Sequence, residues 1–115
     1  MHAYMGELEV EGREFSLNAD QLIVREKDRV IRFKLSGHDD DGYFSIEGAA
    51  TIVSPGKYVA SEIEYFYRNF GKKEKATIHF DLISQSKKKL RCKIEGKWIQ
   101  VGTWKFSGNL RKFKG

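Results

Sequence analysis

Ala76-Thr77-Ile78-His79-Phe80-Asp81-Leu82-Ile83 and Lys89-Leu90-Arg91-Cys92-Lys93-Ile94-Glu95-Gly96-Lys97-Trp98 are two alternating runs separated by a short polar stretch. Successive side chains on a β-strand point to opposite faces, so an apolar residue at every second position marks a strand with one buried face. The first run puts Ala76, Ile78, Phe80 and Leu82 inward and Thr77, His79 and Asp81 outward. The second puts Leu90, Cys92, Ile94 and Trp98 inward and Lys89, Arg91, Lys93 and Glu95 outward. Residues 84–88 are too few and too polar for anything but a turn, so the two runs read as an antiparallel hairpin.

The same reading extends in both directions. Upstream, residues 58–68 place Ile63, Tyr65 and Tyr67 on one face and Glu62, Glu64, Phe66 and Arg68 on the other. A helix over 59–70 is the competing assignment, with Ser61 and Glu64 as a capping box. The aromatic run Tyr65-Phe66-Tyr67 favours a strand. Ser54-Pro55-Gly56-Lys57 carries Pro and Gly where a type II turn needs them. Residues 43–53 align Phe44, Ile46, Gly48, Ala50 and Ile52, and residues 29–35 align Ile31, Phe33 and Leu35. Residues 36–42 read as a loop, and Asn18-Ala19-Asp20 as a turn between the short runs 14–17 and 21–25. Leu8 and Val10 open the series. Downstream, 99–106 and 108–113 are strands rich in Gly, Trp and Phe.

The expected fold is therefore all-β: a single antiparallel up-and-down meander of about eight strands over residues 1–115, one domain. No helix is left to cover the apolar face, so the sheet must close or nearly close into a barrel, or split into two packed layers. Closure also removes the strand edges that invite aggregation.

Composition narrows the function classes. The chain has 115 residues, 40% hydrophobic and 32% charged, which fits a folded domain. The lone Cys92 cannot close an intrachain disulfide. The first residues, Met-His-Ala-Tyr-Met-Gly-Glu, lack the pattern of a secretory leader, and no apolar stretch approaches the ~20 residues of a membrane-spanning helix. A cytoplasmic, non-membrane protein is the expectation. Residues 1–57 carry 7 Lys/Arg against 11 Asp/Glu, a net of −4; residues 58–115 carry 14 against 5, a net of +9. Such polarity either marks an anionic partner or vanishes when strands from both halves interleave.

No catalytic constellation is legible. His79 and Asp81 share a strand face and can form a His–Asp pair, but no nucleophile accompanies them. Cys92 points inward, where a thiol behaves as an inert hydrophobe. Glu62 and Glu64 share a face, with nothing to raise either pKa. Asp39-Asp40-Asp41-Gly42 offers hard ligands, but three contiguous Asp cannot all reach one ion, so no metal and no cofactor is expected.

Two binding readings remain. The first is a small apolar or aromatic ligand inside the barrel, held among Phe44, Tyr65, Tyr67, Phe80, Trp98, Trp104 and Phe106. The small residues Gly48, Ala50, Gly96, Gly102 and Gly108 share the inward parity and either leave room for that ligand or receive the rings in a filled core. The second is an anionic macromolecule, nucleic acid or acidic protein, on Lys72, Lys73, Lys87, Lys89, Arg91 and Lys93. Self-association through unpaired strands or an aromatic patch is a further expectation. The meander, the aromatic lining and the Gly–x–Trp at Gly102-Thr103-Trp104 resemble the calycin type of barrel, the lipocalins and avidins. Their Gly–x–Trp lies in the first strand, whereas here it lies near the last. The resemblance implies a barrel fold and carries over no ligand and no site residue.

Overall fold

A computed structural model describes residues 2–68, 71, 73–86 and 88–112. Eight strands follow one another: β1 (His2–Val10), β2 (Ser16–Arg25), β3 (Val30–Asp39), β4 (Gly42–Ser54), β5 (Lys57–Tyr67), β6 (Lys73–Gln85), β7 (Arg91–Ile99) and β8 (Thr103–Lys112). Each pairs antiparallel with the next, and β8 returns to β1 to close the barrel. The closing seam matches Tyr4 with Lys112 and Val10 with Phe106. Among the described residues the one helical turn is a 3-10 turn, Glu11–Arg13. No helix is long and apolar enough to cross a membrane among those residues. The all-β, up-and-down, closed-barrel expectation holds, and the helical alternative over 59–70 gives way to β5.

In an up-and-down barrel, alternate connections fall at the same end. The β1–β2, β3–β4, β5–β6 and β7–β8 connections therefore share one end, called the mouth below. The other three share the base, where Gly56 takes a left-handed φ of 76° in the Pro55-Gly56 turn.

Among the described residues the pairing slips at four β-bulges. One is Val53 near the end of β4, where Ile52 pairs with Tyr58 and Ser54 with Lys57, and the other three lie within β2, β5 and β6. In β2, Ala19 pairs with Leu35 and Gln21 with Lys34, so Asp20 is an extra residue. In β5, Ala60 pairs with Ile78 and Ile63 with Ala76, which gives β5 an extra residue at Ser61–Glu62. In β6, Leu82 pairs with Ile94 and Ser84 with Lys93, which leaves Ile83 outside. An extra residue reverses the facing of everything beyond it. That reversal lets Leu17, Ala19, Leu22 and Val24 all point inward, and likewise Tyr58, Ala60, Tyr65 and Tyr67. At the β5 bulge Glu62 adopts a left-handed φ of 47°. Its backbone N–H donates to Thr77 Oγ1 at 3.0 Å.

These bulges correct several local expectations. Asn18-Ala19-Asp20 is not a turn but the bulged middle of one continuous strand. The 36–42 loop shrinks to Asp40-Asp41, because Ser36 and Gly37 still pair with Ser45 and Phe44. The two final strands are one, β8. Leu90 precedes β7 and is exposed rather than inward.

The interior is filled. Phe80 and Ile78 are fully buried, and Phe33, Trp98 and Phe106 nearly so. Phe80 lies between Phe33 and Phe106, with ring centroids 5.1 and 5.9 Å away. The inward glycines Gly48, Gly96 and Gly108 open no space of their own, because neighbouring side chains occupy it. A Cβ on Gly96 would stand 2.4 Å from Phe106 Cζ and 2.2 Å from the His79 carbonyl oxygen. On Gly48 it would meet Phe33 Cζ at 3.2 Å, and on Gly108 it would meet Leu8 Cδ2 at 2.6 Å. Glycines that accept aromatic rings across a strand pair are how a narrow barrel keeps crystal-like packing density.

Candidate ligand-binding site

The aromatic set divides by depth. Phe80 and Phe106 belong to the packed interior, and neither lines the hollow at the mouth. Phe44, Tyr65, Trp98 and Trp104 instead surround a hollow of about 220 Å³ at the mouth. Tyr67 lies one ring further along the same cluster, 5.7 Å from Phe44 and 5.8 Å from Tyr65.

Phe15, just before β2, completes the cluster. Its ring lies 5.5 Å from Trp98, 6.1 Å from Trp104 and 6.2 Å from Phe44, at steep interplanar angles. Tilted and edge-to-face pairs of this kind add about 0.5–1.5 kcal/mol each beyond burial. Phe44 reaches this position because Gly37, directly across in β3, has no side chain. A Cβ there would lie 2.6 Å from Phe44 Cζ.

A polar chain ties the floor together. The Trp98 indole N–H donates to Gln100 Oε1 at 3.1 Å. The Gln100 amide donates to the Tyr65 hydroxyl at 2.9 Å and to the Lys75 carbonyl at 3.1 Å. Tyr65 and Tyr67 hydroxyls are hydrogen-bonded to each other, and Tyr67 donates its proton to Asp39 Oδ2. Asp39 Oδ1 accepts the Asp41 backbone N–H at 2.8 Å, closing the tight β3–β4 turn. Burial raises the Tyr65 phenol above its ordinary value. For Tyr67 burial is again the largest cause, and the hydrogen bond to Asp39 adds to it.

Glu14, Asp39, Asp40 and Asp41 also line this hollow, and no Lys or Arg among the described residues does. Sequence reasoning had separated those acids from the aromatics. It also missed Phe15, Glu14 and Gln100 as site residues. Larger hollows of about 650, 570 and 360 Å³ lie on the outer wall, and one of about 400 Å³ lies at the base. Their linings mix acidic and basic side chains, and none gathers aromatic rings as the mouth does.

The other candidates stand apart. Lys73, at the mouth end of β6, pairs with Glu64 at 3.4 Å and sits 5.6 Å from the Phe66 ring. Lys89 is at the base and pairs with Glu26 at 3.5 Å. Arg91 and Lys93 start β7, opposite Arg111 and Asn109. The 13 residues of β6 separate the two ends, about 40 Å of strand. The basic residues therefore do not form one surface; Lys72 and Lys87 lie outside the described residues. Glu62 and Glu64 face the β6 lysines rather than Lys89, Arg91 and Lys93. Asp81 pairs with Lys57 at 3.5 Å. Cys92 is buried, which pushes its thiol up to about 11. No set of three or more His, Cys, Asp or Glu among the described residues is arranged to hold a metal ion.

No family model matches the chain, and no curated protein matches it. Solved structures do. Bovine odorant-binding protein in complex with a selenium-containing odorant superposes with a TM-score of 0.63 at 13% identity, over 99% of this chain and 72% of that one. The same bovine protein complexed with its natural ligand gives 0.63 at 13% identity, over 100% and 71%. Its deswapped triple mutant gives 0.61 at 13% identity, over 100% and 74%. At this identity the likeness concerns the fold, and it makes this chain a calycin-like barrel.

Proposed function

We propose that this barrel is a non-catalytic binding protein whose ligand is small and in good part aromatic or apolar, and that the ligand sits in the mouth rather than in the interior. The observation that carries the reading is the convergence of Phe15, Phe44, Tyr65, Trp98 and Trp104 on one hollow, above an interior already filled by its own rings. Concave apolar sites with a few placed polar groups are where small ligands bind. At about 220 Å³ the hollow is below the ~300 Å³ of drug-sized pockets, so a single ring with a short substituent is the expected scale. The complexes of bovine odorant-binding protein with an odorant and with its natural ligand add support by analogy of fold.

Intrinsic fluorescence tests the reading, because both tryptophans of the chain stand at the mouth. Single-ring compounds should shift or quench the emission saturably, and Trp104→Leu should weaken the binding at least ~5-fold. A panel of such compounds that leaves the emission unchanged, confirmed by calorimetry, would sink the proposal.

A further inference from the structure

We infer that the ligand of the mouth is an organic cation, a small aromatic or alkyl ammonium. The inference rests on the mouth-binding reading and specifies its chemistry. Three observations of different kinds converge on it. The first is the sign of the rim: Glu14 from the β1–β2 connection and Asp39, Asp40 and Asp41 from the β3–β4 turn border one hollow, on a chain whose net charge is +5. A low-dielectric cleft lined by one sign of charge concentrates the opposite ion.

The second is the wall. Aromatic faces and edges enclose the hollow on several sides, and an ammonium over such rings is attracted by their quadrupoles, most strongly over an indole. Trp104 and Phe15 are only partly buried and stand where a ligand can meet them. The third is the state of the donors. Trp98 Nε1–H and the Gln100 amide already donate to partners inside the protein. Tyr67 gives its proton to Asp39. With these donors spent, the Trp104 indole N–H is the side-chain N–H that remains uncommitted among the described lining residues. An anion would therefore lose its water shell for at most one such bond, whereas a cation meets carboxylates and ring faces. Neutral aromatic ligands gain from the rings alone.

Three compounds of one shape and different charge provide the test: 2-phenylethylammonium, 2-phenylethanol and phenylacetate, titrated into the full chain by calorimetry at pH 7. The ammonium should bind about 10-fold or more tightly than the alcohol, with phenylacetate weakest. The double variant Glu14→Gln with Asp40→Asn should remove most of that preference, read as the ratio of the ammonium's affinity to the alcohol's in the same variant. Both side chains are exposed and the replacements isosteric, and far-UV circular dichroism checks that the barrel persists. Raising NaCl from 50 to 500 mM should weaken only the ammonium. An alcohol that binds as tightly as the ammonium overturns the charge assignment and leaves the mouth reading standing. An unchanged preference in the double variant also overturns it. Failure of all three compounds to bind overturns both.

Discussion

Truncating Phe80 separates a filled barrel from a hollow one. Its ring is fully buried and contacts Phe33 and Phe106, with centroids 5.1 and 5.9 Å away. Phe80→Ala removes that ring from a site whose neighbours sit on rigid, paired strands and can relax little. Core Phe→Ala changes of this kind cost about 3–5 kcal/mol, as lost transfer energy plus the cavity left behind. A chain this long has a total stability of about 6–17 kcal/mol at ~0.05–0.15 kcal/mol per residue. The variant should therefore fold but be clearly weakened. With an unfolding entropy of ~2.1 cal/mol/K per residue, the loss corresponds to a drop of about 12–20 °C in Tm. Equilibrium urea unfolding followed by far-UV circular dichroism reads it as a lower midpoint at unchanged slope. Were Phe80 the wall of a ligand cavity, its ring would already border empty space and truncation would cost little. A loss under about 1 kcal/mol would refute the packed interior.

Other consequences are as direct. Gly96→Ala places a methyl 2.2 Å from the His79 carbonyl oxygen, which is backbone and cannot swing away. Its cost should reach or exceed the upper end of the ~1–3 kcal/mol range for overpacking, read from urea midpoints; a neutral result would mean the β6–β7 pairing is looser than described. Cys92, buried and with its thiol pushed up to about 11, should not react with a disulfide reagent at pH 8 until denaturant is added. Rapid native labelling would place it outside the core. Tyr4, Tyr58, Tyr65 and Tyr67 all have phenols raised above their ordinary value, chiefly by burial. The folded state then holds these protons longer than the unfolded one, so the stabilisation is complete below pH ~10 and is lost as pH rises beyond it. Tm should be level from pH 8 to 9 and fall above about 10; a Tm that stays level while the phenols ionise would contradict their burial.

The fold was legible because its signal is repetitive. Eight strands with one apolar face and short polar turns leave few alternatives to closure, and a misread turn at Asn18–Asp20 does not change that. Local errors came from the bulges. Asp20, Glu62 and Ile83 each reverse the facing of the residues that follow, and no single residue type announces such a reversal. The candidate site was half legible. Parity put Phe44, Tyr65, Trp98 and Trp104 together, but it says nothing of depth, and so it put Phe80 and Phe106 with them. What parity left out, topology supplies. Alternate connections of a meander share an end, which brings Glu14 and Phe15, the three Asp at 39–41 and Gln100 to one mouth, although they are separated by up to 86 positions in the chain. The described members of the basic set are divided for the same geometric reason: Lys73 and Lys89, 16 positions apart in sequence, lie at opposite ends of an antiparallel pair.

The most direct test of a mouth site is a titration of the ¹⁵N-labelled chain with 2-phenylethylammonium, followed by two-dimensional NMR. The Trp98 and Trp104 indole N–H signals, the Gln100 side-chain amide and the backbone signals of residues 14–15 and 39–41 should move together and saturate at one common Kd, while those of Phe33, Phe80 and Cys92 hold still. Shifts concentrated in the interior around Phe80, or on the outer wall around Glu95 and Lys105, would contradict the account.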